Sequence, residues 1–253
     1  INDSYVRAFF LLVVPLLGGI LLSRGRDAVM VNVLTTQAGL PTYFGQGRGI
    51  VDTISFLVPY TLSIALLPFF CDISARNDNA QLGALLTRII RMLVWFFVPL
   101  CIVLAATALP ICVVMYAGKE ITVARSSYAA QVLMIFCIQL PFQAVEMMTM
   151  QAFFSSRRII APTLAGLVFS LLAPAAAYYL VVGKISNPMQ ILTIVALCSV
   201  LAKALKALIL IALLKWTVPM LPFAQTAAYA AKVAIAGGAA AAVVFGVFYG
   251  YER

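Results

Sequence analysis

The 253-residue chain contains no histidine, and it is short of charge. Without an imidazole there is no Ser-His-Asp triad and no His-based metal centre. Charged residues make up 10% and hydrophobic ones 64%, where a soluble domain carries about 25% charged and about 45–50% apolar residues. That scarcity excludes a soluble globular enzyme and a disordered chain. The five cysteines (Cys71, Cys101, Cys112, Cys137 and Cys198) include no C-x-x-C pair. Most fall in apolar stretches and read as small hydrophobes, not as a disulfide or metal framework. There is no Gly-x-x-x-x-Gly-Lys phosphate loop, so ATP hydrolysis by such a loop is not expected. Lys and Arg number 17 against 8 Asp and Glu, but no basic run sits on a soluble module. A nucleic-acid partner is not expected, and the excess matches the cytoplasmic loops of membrane proteins.

What is abundant is long apolar sequence. A bilayer core about 30 Å thick takes roughly 20 such residues per helix, and backbone polar groups in lipid must be satisfied within the helix. The pattern predicts an all-α, polytopic transmembrane bundle, one domain over 1–253. Its seven spans are placed near 9–34, 50–71, 93–117, 126–153, 162–183, 190–214 and 227–249. A polar loop over 72–81 leads into an amphipathic stretch, 82–91, with Leu82, Leu85, Leu86, Ile89 and Ile90 at helical spacing beside Arg88 and Arg91. This stretch is expected to lie on the membrane surface before the third span. With the N-terminus in the cytoplasm, Arg76, Arg88, Arg91, Arg157, Arg158, Lys206, Lys215 and Lys232 fall inside. Arg48, Lys119, Arg125, Lys184 and Arg253 then fall outside, a modest positive-inside bias. Pro15, Pro59, Pro99, Pro110, Pro141 and Pro174 lie in or near spans, each removing a backbone donor. The chain begins at Ile1, from which a longer polypeptide is expected.

The informative residues are the ionisable ones at membrane depth, where a charge costs about 2.5–3.5 kcal/mol on insertion scales and usually faces a protein interior or a water-filled cavity. Arg24, Arg26 and Asp27 interrupt the first span. Arg24 and Asp27 share a helix face and can pair; the alternative is a loop over 23–27 between two shorter elements. Arg48 and Asp52, four apart among Gly45, Gly47 and Gly49, open the second span as a cavity pair or as an ion pair at a helix end. Gln139, Gln143 and Glu146 form one polar stripe on the fourth span, for function or for interhelical hydrogen bonding. Ser199, Lys203 and Lys206 share a face of the sixth, and Glu146 is a candidate partner for Lys203. The candidate binding residues are therefore Arg24, Arg26, Asp27, Arg48, Asp52, Glu146 and Lys203, with no catalytic residue, metal or cofactor expected. A mostly cationic cavity suits a phosphate or pyrophosphate.

Four segments together resemble a known family. Residues 63–68 (SIALLP), with the polar loop and basic helix after them, resemble its A-x-x-L-L-P helix end. Residues 111–119 (ICVVMYAGK) resemble its short outer turn. Leu140-Pro141, then QAFF at 151–154 and APT at 161–163, resemble its L-P…R-A-F-Y…T-P-T pattern, with Gln151 where Arg is common. Pro15 to Arg48, with Tyr43 five residues before Arg48, is similar to its seventh-span region. The family is the lipid II flippases (MurJ/MviN) of the multidrug, oligosaccharidyl-lipid and polysaccharide exporter superfamily, and the chain resembles the second of their two lobes. The resemblance implies alternating-access flipping of undecaprenyl-pyrophosphate-linked peptidoglycan precursor in the bacterial inner membrane. It also implies membrane lipids as surroundings, a second lobe or partner chain, and substrate contacts at Arg48 and the 24–27 cluster. Two alternatives stand beside it: an exporter of another lipid-linked oligosaccharide, and a non-transporting scaffold or accessory subunit.

Overall fold

The computed structural model describes residues 24–116, 123–156 and 160–216, with a few positions outside these stretches. Helix α1 covers 24–34. A turn at Gly39, whose φ of 88° falls in the left-handed region that glycine tolerates, hands the chain to α2 (Leu40–Ser55), with Pro41 in its first turn. A π-helical turn, Phe56–Tyr60, contains Pro59 and continues into α3 (Thr61–Ala75). Then follow α4 (Asn79–Ala106), α5 (Ala108–Tyr116), α6 (Val123–Cys137), α7 (Gln139–Ser155), α8 (Ile160–Val181) and α9 (Pro188–Lys215). No strand occurs among the described residues.

Capping marks where the long helices begin. The Asp78 carboxylate accepts from the Gln81 amide at 2.9 Å ahead of α4, and the Asn187 side-chain oxygen accepts from the Met189 amide at 3.0 Å ahead of α9, where Pro188 needs no partner. Gly183, at φ 74°, closes α8.

Four of these helical stretches are long and apolar enough to cross a bilayer: Leu40–Ala75, Asn79–Ala106, Pro162–Val181 and Pro188–Lys215. A fifth arises if α6 and α7, bent by 44° around Ile138, form one broken span. The expected second to sixth spans all appear, whereas most of the first (9–23) and of the seventh (227–249) lie outside the described residues. Two boundaries differ from expectation. The second span begins ten residues early, at Leu40, because the Gly-rich polar stretch around Arg48 is helical. The 82–91 stretch runs without a break into the third span, as the start of a single 28-residue helix. Its apolar side (Leu82, Leu86, Ile89 and Ile90) is buried in the core, while Arg88 stays exposed.

The core is a column of fully buried side chains, among them Leu34, Leu82, Leu86, Phe97, Leu133, Leu140, Met148 and Leu192. Large apolar residues also cover the outside: Leu57, Phe69, Val114, Leu171 and Tyr179 are exposed. Outward apolar surface on this scale needs lipid or protein around it, not water. The chain is a multi-pass membrane protein. Helices α2 and α6 meet closely because position 47 is glycine: a Cβ there would stand 2.5 Å from the Ala129 carbonyl oxygen and 2.8 Å from Val132 Cβ. Beside this crossing, Tyr43 stacks on Tyr128 with ring centres 5.5 Å apart, and Phe44 meets Phe136 edge-on at 5.4 Å.

Candidate functional site

Four helices, α1, α2, α7 and α9, bring the charges together. On α1, the Arg26 Nη2 and Asp27 Oδ1 atoms are 3.1 Å apart. From α2, Arg48 donates through Nη1 to the same Asp27 oxygen at 3.1 Å and through Nε to Asp52 Oδ2 at 3.0 Å. One guanidinium therefore ties α1 to α2 and also pairs with a carboxylate one turn along its own helix. These groups keep between about a fifth and two fifths of their side-chain surface exposed, so they see water while remaining paired.

The second polar set lies between α7 and α9. Gln139, Gln143 and Glu146 are spaced four then three residues apart, and so are Ser199, Lys203 and Lys206. Lys203 Nζ donates to Gln143 Oε1 at 2.9 Å, and Lys206 Nζ meets Glu146 Oε1 at 2.6 Å. The numbers rise together on both helices, so α7 and α9 run parallel with their stripes in register. Gln139 Nε2 also donates to Gln143 Oε1, at 2.8 Å. The Lys206–Glu146 pair keeps only 18% and 12% of its side-chain surface. Gly166 of α8 lies beside it: a Cβ there would come to 3.7 Å from Lys206 Nζ, an ordinary contact distance.

Both sets line one cavity of about 50 Å³, together with Phe136, Phe169 and Ala202. A water takes about 30 Å³ of liquid, so this space holds one or two waters. Of the seven residues expected at the site, Arg26, Asp27, Arg48, Glu146 and Lys203 line it. Asp52 stands behind Arg48 as its second carboxylate. Arg24 does not join: it is exposed, and among the described residues it forms no ion pair. Asp27 pairs with Arg26 and Arg48, not with Arg24 as the spacing allowed. The expected Lys203–Glu146 pair is likewise replaced, since Glu146 takes Lys206 and Lys203 takes Gln143. The reason is register: parallel stripes with equal spacing match residue to residue, which puts Glu146 opposite Lys206.

The loop reading of 23–27 fails, because the chain is helical from residue 24. Arg48 is in neither a loop nor a helix end: it lies in the third turn of α2 and lines the cavity. Lys206, read as an inner-end lysine, was missed as a site residue. The signal that could have found it was the repeated four-three spacing. Among the described residues no group of three metal-ligating side chains occurs.

The charge of the lining is lopsided. Arg26, Arg48, Lys203 and Lys206 face Asp27 and Glu146 across the cavity; counting Asp52 behind Arg48, the cations exceed the acids by one. Such a site attracts an anion and repels a cation.

Comparison with known proteins gives a consistent picture. The family model described as "Lipid II flippase MurJ" matches residues 2–251. A solved structure titled "Lipid II flippase MurJ, inward closed conformation" superposes with a TM-score of 0.74 at 18% sequence identity. The match covers 96% of this chain and 49% of that one, so the chain spans about half the length of the structure it matches. No curated protein matches the sequence.

Proposed function

The chain belongs to the MurJ lipid II flippase family, and from that premise we propose that it forms one lobe of a flippase for an undecaprenyl-pyrophosphate-linked peptidoglycan precursor. The lobe sits in the bacterial cytoplasmic membrane, with the N-terminal end of α1 toward the cytoplasm. The observation that carries this reading is the convergence of Arg26, Arg48, Lys203 and Lys206 on one cavity within an apolar bundle. Pyrophosphate is compact and highly anionic. It can be held by guanidinium forks and ammonium groups while the prenyl tail stays in lipid.

A pyrophosphate-linked sugar is larger than this cavity, so in this reading α1, α2 and α9 separate when substrate enters. The Arg26–Asp27–Arg48–Asp52 chain is the bond set that this separation must exchange for contacts with phosphate. This reading takes alternating access as the mechanism: the ion pairs hold the closed form, and an incoming anion competes for the same guanidinium groups. A second lobe, on the same polypeptide or on a partner chain, completes the transport path, in keeping with the half-length match.

The test is a flipping assay with the intact protein in liposomes, following fluorescent lipid II across the bilayer. Arg48→Ala should abolish flipping while membrane insertion and amount remain normal. Undiminished flipping by Arg48→Ala would sink the reading.

A scaffold role is the second reading, favoured by one observation: most of the cavity's charges are already paired within the chain. Transport of any lipid-linked pyrophosphate by the purified protein excludes it. Competition between lipid II and other polyprenyl-pyrophosphate sugars in the same assay separates lipid II flipping from export of a different lipid-linked oligosaccharide.

A further inference from the structure

The cations of the cavity are not equivalent. Arg26 and Arg48 share the Asp27 carboxylate, and Arg48 has Asp52 as well. Lys206 is held by Glu146 at 2.6 Å. Lys203 alone among the lining cations has no carboxylate within ion-pair distance among the described residues; its hydrogen bond goes to Gln143, a neutral amide. An ammonium has three donors, and that one bond leaves two of them over for whatever enters the cavity. Gln143 is itself fixed by Gln139, whose amide donates to the same oxygen, so Lys203 is anchored without being neutralised.

We propose that Lys203 is the residue through which the cavity recognises the phosphate of its lipid substrate, and that Gln143 is the positioning residue that presents it charged and uncompensated. This inference rests on the flippase reading given above. In the closed form, Arg26 and Arg48 hold helices together and become available only after Asp27 lets go. Lys203 has no carboxylate to give up first, so once the helices part its ammonium is free for the arriving anion. Its position on α9, one turn from the Lys206–Glu146 pair, places that anion beside the bonds it must replace.

The experiment measures binding of a long-chain polyprenyl pyrophosphate and of the uncharged polyprenol to the intact protein in nanodiscs. The wild type should prefer the pyrophosphate. Lys203→Met should lose that preference by about tenfold or more, the worth of a charge-assisted hydrogen bond. Because Lys203→Met can also disturb packing, Gln143→Glu is the sharper variant. A carboxylate at 143 can still accept from Gln139 and Lys203, a thermal melt checks that the fold is kept, and the ammonium is neutralised. Gln143→Glu should therefore show the same loss in pyrophosphate affinity with unchanged affinity for the polyprenol. Retention of wild-type pyrophosphate affinity by Gln143→Glu overturns the proposal while leaving the flippase reading intact. Absence of any pyrophosphate preference in the wild type overturns both. Millimolar inorganic pyrophosphate should compete with the lipid in the wild type; failure to compete would mean that the phosphate is not what Lys203 reads.

Discussion

Arg48 Nη1 reaches Asp27 Oδ1 at 3.1 Å from a helix 21 residues further along the chain. This bond, with Arg26 on the same oxygen, makes Asp27 the hub of the α1–α2 contact. Asp27→Asn should leave Arg48 with Asp52 alone and Arg26 without its carboxylate. The groups are partly exposed, so the cost is on the order of 1–2 kcal/mol. It should appear as a fall of a few degrees in the melting temperature of the detergent-solubilised protein. An unchanged melting temperature would show that the hub contributes nothing.

Arg24 and Arg48 looked equivalent by sequence and are not. Arg24→Ala should keep flipping within about twofold of wild type, since the side chain is exposed and unpaired among the described residues. Arg48→Ala should lose it, because removing that guanidinium cuts the α1–α2 tie, strands the Asp52 carboxylate and takes one cation from the cavity. Flipping rates of the two variants, measured side by side at matched protein levels, check the ranking; equal losses would refute it.

Three glycines flank Arg48, and only one is needed for packing. A methyl group at Gly47 meets the backbone oxygen of Ala129 and Val132 Cβ inside contact distance, whereas Gly45 and Gly49 have nothing within 4 Å. Gly47→Ala should force α2 from α6 at about 1–3 kcal/mol, the usual cost of overpacking. Gly45→Ala and Gly49→Ala should be neutral or slightly stabilising, since alanine favours the helix by about 1 kcal/mol. Thermal melts of the three variants distinguish the positions.

Lys206 and Glu146 invite a double-mutant cycle. Lys206→Met leaves a mostly buried carboxylate without its partner and should destabilise more than Lys206→Met combined with Glu146→Gln. The coupling should be about 1–3 kcal/mol. Additive effects of the two single changes would mean that the pair is not an interacting unit.

Much of this bundle could be read from sequence because apolar length is a strong signal. Five of the spans, from the one holding Arg48 to the one holding Lys203, lie where hydropathy put them. The same signal failed at helix starts. Hydropathy sees the polar Gln46-Gly47-Arg48 stretch as loop, but its backbone is helical and its charges turn inward to one another. It also could not separate 82–91 from the helix that follows, since a change from amphipathic to fully apolar need not interrupt backbone hydrogen bonds. Within the site, every residue but Lys206 was legible as an ionisable group in an apolar context. Partners were not, because pairing depends on the register of neighbouring helices, and one sequence does not state register. Asp27 found Arg48 across a helix boundary, and Glu146 found Lys206 one turn away from the expected lysine.

The π-helical turn at Phe56–Tyr60 sets the phase of everything after it. Buried positions recur every fourth residue through it: Gly47, Val51, Ser55, Pro59 and Ser63. An α-helix advances about 100° per residue, so steps of four would wind this row around the helix by about 40° each time. The wider π turn takes up that rotation and holds the row on one side. Deleting a single residue between 56 and 60 would restore α geometry with the downstream half at nearly the same angle, since a five-residue π turn winds about as far as four α-helical residues. Ser63, Phe70 and Ile73 would keep their places, whereas the same deletion in the α turns between Gly47 and Ser55 would swing them by roughly 100°. The second span thus carries a slip coupling between its charged half and its apolar half: one residue can be lost at the π turn, but not in the α turns beside it, without changing the angle between them.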